Sequence, residues 1–162
     1  MTIVAVNCFG DFDQKLHADY QPLTLPAAVM SNPEVKIPIY ISTAHFYLDD
    51  IDEELGPTQF IPYSHRAGRA ADGDLEYKGV GPKSILCKAG DVVIFRSEVW
   101  HRGTANRSQR MRYLLQVHYS QRMITQKFPP YLHRFQFAEA ILAQATPRQL
   151  RLLGDHKASN YD

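Results

Sequence analysis

Short apolar runs separated by clusters of Gly, Pro, Asp and Asn dominate the chain, a punctuation that predicts strands rather than helices. Residues 2–8 (TIVAVNC) predict a first strand, stopped by Phe9-Gly10-Asp11. Residues 36–48 (KIPIYISTAHFYL) predict one long strand, in which Pro38 requires an edge or a bulge because it has no N–H to give a neighbour. The acidic run from Asp49 to Glu54 reads as a solvated turn, closed by Leu55-Gly56-Pro57 and followed by a short strand at 58–62. Residues 66–83 are polar and glycine-rich, predicting a long loop of the kind that serves as a lid or binding loop. From residue 84, SILC, the Lys88–Asp91 turn and VVIF predict a hairpin that feeds another strand ending in Val99-Trp100-His101. Residues 111–120 (MRYLLQVHYS) alternate. One face carries Met111, Tyr113, Leu115, Val117 and Tyr119; the other mixes Arg112, Leu114, Gln116, His118 and Ser120, as expected of a strand lining a polar cavity.

The period changes towards the C-terminus. Residues 132–145 predict a helix, and Thr146-Pro147-Arg148-Gln149 signals a new helix start, with Thr146 as N-cap, Pro147 as first helical residue and Gln149 closing a capping box. Gly154 is the expected stop. Many short strands followed by a helical tail define a mainly β fold, a double-sheet jelly roll or related barrel with C-terminal helices.

The length of 162 residues suits one domain spanning 1–162, and 44% apolar content with one Trp, nine Tyr and eight Phe excludes disorder. A net charge of +1 offers no field for a nucleic-acid backbone or an anionic membrane. No apolar run is long enough to span a bilayer, and the N-terminus lacks the basic start of a signal peptide. Cys8 and Cys87 form neither a CxxC pair nor a disulfide framework, so a reducing cytoplasm is the expected compartment.

Candidate chemistry lies with the histidines at 17, 45, 65, 101, 118, 133 and 156. His17 alone has a carboxylate two residues on, in Leu16-His17-Ala18-Asp19-Tyr20. On an extended segment these two side chains project to one face and reach one ion. His101, at a predicted strand end, is the natural third ligand. Two imidazoles and a carboxylate make the facial triad of non-haem iron(II) oxygenases, which leaves open positions for a co-substrate and dioxygen. His-x-Asp recurs by chance in a chain of this composition, so weight falls on what accompanies it. Arg112 stands on the mixed face of the following strand, where a planar guanidinium facing a polar cavity favours a carboxylate. Arg110 shares that parity and rivals it; Arg107, of opposite parity, is weaker.

His17-Ala18-Asp19, Leu48-Asp49-Asp50, Glu54-Leu55-Gly56-Pro57-Thr58, Ile61-Pro62-Tyr63-Ser64-His65-Arg66, Ala89-Gly90-Asp91-Val92-Val93-Ile94-Phe95 and Trp100-His101-Arg102-Gly103, followed by Asn106, Ser108 and Arg112, together resemble the phytanoyl-CoA dioxygenase family from about residue 15 to 120. The resemblance implies a double-stranded β-helix, His17, Asp19 and His101 as Fe(II) ligands, and Arg112 as the partner of 2-oxoglutarate. It implies hydroxylation of a small organic substrate by dioxygen, with release of succinate and carbon dioxide. Related halogenases place a small residue where this chain has Asp19, so hydroxylation is the expected outcome. Tyr63 stands where the family usually has Gly, and Gly103 where members often carry a small hydroxyl residue, with Thr104 beside it. Family members also usually extend further at the N-terminus, so a truncated, non-catalytic jelly roll that binds metal or a small ligand is the competing expectation. A cupin-type isomerase is disfavoured by the lack of a His-x-His motif. Of the remaining histidines, His65 is expected to support a turn, while His118, on the face of Arg112, is either a cavity or a core residue. Residues 20–35 and the 66–83 loop are the expected specificity segments.

Overall fold

The computed structural model describes residues 2–7, 12–21, 24–121, 124 and 137–153. The strands are β1 (Thr2–Asn7), β2 (Ile41–Tyr47), β3 (Thr58–Phe60), β4 (Lys83–Ile85), β5 (Val92–Arg96), β6 (His101–Gly103) and β7 (Tyr113–Ser120). Short helices α1 (Ala27–Ser31), α2 (Glu139–Gln144) and α3 (Pro147–Leu153) complete the described elements, with a 3-10 turn at Ser64–Ala67.

Two antiparallel sheets form the body, one in the order β1-β7-β2-β5 and the other β4-β3-β6. The second gains a further member from residues 14–20. Gln14 N–H donates to the Gly103 carbonyl, His17 and His101 exchange both backbone hydrogen bonds, and Tyr20 N–H donates to the Ser97 carbonyl. The mainly β jelly-roll expectation is met. The first sheet brings together strands distant in sequence, β2 lying between β5 and β7 with Thr43 opposite Phe95 on one side and His118 on the other.

Three local expectations change. The predicted strand over 36–48 is paired only at Ile41–Tyr47. The carbonyls of Ile37 and Pro38 accept instead from the Arg96 guanidinium, so a side chain takes the place of a ladder partner where Pro has no N–H. The Lys88–Asp91 turn does not close a hairpin: β4 pairs with β3 while β5 pairs with β2. It carries the chain from one sheet to the other, held by Asp50, which accepts from Ala89 N–H and Lys88 Nζ. At the C-terminus helix covers Glu139–Gln144, residues 132–136 and Gly154 lying outside the described set. The capping box forms as expected, with Gln149 N–H donating to the Thr146 hydroxyl and Thr146 N–H donating to Gln149 Oε1.

Leu16, Ile61 and Trp100 form one apolar cluster and Tyr47, Ile51, Leu55, Cys87 and Leu114 another. The first ties the Pro62-Tyr63-Ser64-His65 motif to the strand bearing His101. Ser64 Oγ donates to the Ile61 carbonyl at 2.8 Å and accepts from Trp100 N–H at 2.7 Å. Tyr63 adopts the left-handed conformation (φ 63°) and is 74% exposed, so an L-residue occupies a backbone position that favours Gly. An L-residue there costs roughly 1–2 kcal/mol. Tyr63→Gly is therefore expected to raise the unfolding free energy by about 1 kcal/mol, read by urea denaturation, after offset for the entropy Gly adds to the unfolded chain.

Candidate metal centre

His17 and His101 are directly opposite one another across an antiparallel pair, which sends both rings to the same side, 4.5 Å apart between centroids. Asp19, two residues on from His17, joins that face with Oδ2 3.7 Å from His101 Nε2. One ligand atom from each of the three lies within 4.8 Å of the others, the one such group of His, Cys, Asp or Glu among the described residues. Adjacent ligands of an octahedral ion held at about 2.1 Å stand roughly 3 Å apart, a closure within reach of side-chain rotation.

The tautomers suit this use. His17 Nδ1 lies 2.9 Å from the Lys15 carbonyl and His101 Nδ1 2.9 Å from the Val99 carbonyl. A carbonyl only accepts, so each Nδ1 carries the proton and each Nε2 keeps its lone pair for a metal. The same i to i−2 arrangement recurs at both rings and fixes their planes. The pairing of residues 13–17 with β6 is reinforced by Gln14 Oε1, which accepts from Gly103 N–H, and Asp13, which accepts from Ala105 N–H and pairs with Arg102.

Arg112 is 3% exposed and extends the inward face of β7. Its Nη1 donates to the Gly56 carbonyl. Gly56 is required there: at φ 78° a Cβ would stand 2.6 Å from the Thr104 carbonyl oxygen. Of the rival arginines, Arg110 pairs with Asp52 at the surface and Arg107 is exposed, so burial distinguishes what parity could not. Gly103 faces the Arg112 guanidinium, whereas the Thr104 hydroxyl turns away to the Pro57 carbonyl.

Residues that the sequence reading passed over complete the interior. Thr43, His45 and Tyr47 alternate onto the inward face of β2 and are buried. Both ring nitrogens of His45 and Nε of Arg112 have no hydrogen-bond partner among the described residues. The Tyr47 hydroxyl makes no well-formed hydrogen bond there either, although Thr58 lies near enough to bias its titration. His45 sits edge-on to Phe95 at 4.9 Å, with Phe60 and Tyr47 around it. Burial first, then the neighbouring His101, pushes its pKa down to about 3, so it is neutral at physiological pH. Burial likewise raises the Tyr47 hydroxyl and keeps it a donor.

An unfolded His45 binds its proton near pH 6.5 while the folded one does so near 3. The metal-free protein is therefore expected to be most stable above pH 6.5, losing stability progressively as pH falls towards about 3. Thermal melts across that window check this, and His45→Phe should flatten the profile.

His118 is half-buried, its Nδ1 2.9 Å from the Thr43 hydroxyl. His65 lies in the 3-10 turn as expected, and Asn106 shapes the turn before β7, its Oδ1 accepting from Ser108 N–H and its Nδ2 donating to the Arg110 carbonyl. His133 and His156 lie outside the described residues.

A double-stranded β-helix with an inward His-x-Asp…His triad and a buried arginine defines the class of non-haem iron oxygenase folds. The phytanoyl-CoA dioxygenase family model matches residues 1–114, and the chain belongs to that family. Solved structures with the same fold include EvdMO1 (TM-score 0.54, 17% identity, covering 75% of this chain and 28% of that one). Apo HygX from Streptomyces hygroscopicus matches with TM-score 0.55 and 18% identity over 75% of this chain and 57% of that one. The epimerase SnoN, in complex with Fe3+, alpha-ketoglutarate and nogalamycin RO, matches with TM-score 0.53 and 18% identity over 73% and 48%. The chain thus spans 28 to 57% of the length of these structures.

Family membership makes Fe(II) and 2-oxoglutarate the cofactor and co-substrate, and the residues present fit both. The triad offers the nitrogen and oxygen donors suited to Fe(II). The unpaired donors Arg112 Nε and His45, with the Tyr47 hydroxyl, supply the buried polar surface that a dicarboxylate would satisfy. No helix among the described residues is long and apolar enough to cross a membrane.

Proposed function

We propose that this chain carries the catalytic core of an Fe(II)- and 2-oxoglutarate-dependent dioxygenase that hydroxylates a small organic substrate. The observation that supports it most is the cross-strand His17–His101 pair with Asp19 on the same face, each imidazole held through Nδ1 against a backbone carbonyl. When bound, the iron and 2-oxoglutarate supply an oxidant by coupling dioxygen reduction to decarboxylation of the co-substrate to succinate. The protein's part is placement. His17, Asp19 and His101 would hold the ion. Arg112, buried on the inward face of β7, would hold the distal carboxylate of the co-substrate. The Tyr47 hydroxyl, within range of the Arg112 charge, supplies from β2 a donor that the family often draws from the position of Gly103. Neutral His45 lines the path between metal and arginine without adding charge, and Phe60 and Phe95 exclude water around it.

The substrate belongs at the same end of the barrel. Residues 20–40 follow Asp19, the 61–82 loop follows Phe60, which pairs with His101, and the 97–100 turn precedes His101. A cavity of about 190 Å³ lies among these segments, its wall made by Leu25, Met30, Val35, Ile37 and Tyr40 together with polar Gln21, Lys36 and His65 and the Arg96–Glu98 ion pair. This lining suits a mainly apolar organic molecule that also carries polar groups. The two-cysteine composition supports a reducing cytoplasm.

The test is a substrate screen read by succinate release with Fe(II), 2-oxoglutarate and dioxygen. Substrate-dependent succinate supports the reading. Iron and 2-oxoglutarate bound without succinate above the background of metal and co-substrate alone, across the screen, favours a binding domain without turnover.

A further inference from the structure

Asp19, the one anionic ligand of the triad, meets a polar network built from three strands' worth of sequence. The Thr43 hydroxyl, fully buried on β2, lies 3.4 Å from Asp19 Oδ2, 2.8 Å from Ser97 Oγ and 2.9 Å from His118 Nδ1. Gln116 Nε2, also on β7, approaches the same Asp19 oxygen at 3.5 Å. Thr43 and His118 are opposite in the β2–β7 register, and Ser97 follows directly after β5.

A hydroxyl has one proton to give and two lone pairs to fill. An ionised Asp19 only accepts, so a contact with it is favourable only if Thr43 donates there. Thr43 must then accept from both remaining neighbours, the Ser97 hydroxyl and His118 Nδ1–H. With Thr43 donating to Asp19, this is the arrangement in which all three contacts of its hydroxyl are hydrogen bonds. Two donors fill the lone pairs of Thr43 and commit its proton to Asp19.

We propose that Thr43, oriented by Ser97 and His118, is the positioning residue for Asp19, holding its carboxylate aimed at the metal before the metal arrives. The role rests on the triad being the metal site. It goes beyond that assignment by naming what fixes its acidic ligand and why β2 and β7 carry polar residues at the barrel's centre. Partners of this kind are worth about 10- to 100-fold in metal affinity.

The test uses Co(II) as the metal, titrated into metal-free protein and followed by calorimetry and the visible bands of the bound ion. Thr43→Val keeps the shape of the side chain and removes the donor. It is expected to weaken Co(II) binding by about 10- to 100-fold and to change the band shape, with the melting profile confirming the fold. Thr43→Ser restores the hydroxyl and should recover most of both. Ser97→Ala and His118→Phe, which leave Thr43 free to turn its proton away, should each weaken binding in the same direction by less. Wild-type affinity and spectrum in folded Thr43→Val overturn the proposal. Should that variant not fold, wild-type affinity in both Ser97→Ala and His118→Phe overturns it. An Asp19→Ala protein that binds Co(II) like wild type would instead refute the metal assignment, and the positioning role with it.

Discussion

Replacing Asp19 with Ala is expected to leave a folded protein that retains no specific Fe(II) and releases no substrate-coupled succinate. The triad is short of redundancy: among the described residues no fourth His, Cys, Asp or Glu completes an alternative cluster around it. Two neutral imidazoles alone bind a divalent ion with no charge neutralisation, and loss of the carboxylate removes both a ligand and its negative charge. His101→Ala should be equally severe for binding, since His101 anchors the triad from β6. Backbone pairing of His17 with His101 does not depend on either ring, so both variants should fold. Iron content after gel filtration and succinate formation measure the effect; wild-type values in either variant contradict the assignment.

Arg112→Ala is expected to raise the KM for 2-oxoglutarate by about 100- to 4,000-fold while leaving Fe(II) affinity near wild type. Breaking one side of a buried ion pair costs about 3–5 kcal/mol, and each 1.4 kcal/mol is tenfold in affinity. Arg112 also donates to the Gly56 carbonyl, so some loss of stability accompanies the change and is read separately by denaturation. Arg112→Lys should recover little, because an ammonium cannot reproduce the planar fork. Arg110→Ala provides the contrast: its partner is Asp52 at the surface, and the KM should not move.

The contrast between these two arginines shows how far the sequence reached. Alternation along residues 111–120 placed Arg112, Gln116 and His118 on one face and marked it as polar, and the structure turns that face inward. Parity could not choose between Arg110 and Arg112, since both share it; the choice is made by the turn before β7, which leaves Arg110 in solvent. On β2 the same rule offers no guide. Ser42, Ala44 and Phe46 look no more polar than Thr43, His45 and Tyr47, yet the latter three point into the barrel. An interior built to hold an ion and a dicarboxylate is polar, so hydrophobic alternation fails at the strand that lines it. The sheet switch after β4 was hidden for another reason. Adjacent strands default to a hairpin, and only the long-range pairing of β5 with β2 overrides it. Motifs with local causes, such as the Thr146 capping box and the His17-x-Asp19 spacing, were legible because a few neighbouring residues determine them.

The central claim is that one barrel interior holds iron and 2-oxoglutarate together, the first on His17, Asp19 and His101, the second reaching to Arg112. Anaerobic addition of 2-oxoglutarate to the Fe(II)-loaded protein tests it most directly. A weak visible absorption band is predicted for the wild type, absent from Asp19→Ala and displaced to far higher co-substrate concentration in Arg112→Ala. A folded, iron-loaded wild-type protein that shows no band at saturating 2-oxoglutarate would contradict it.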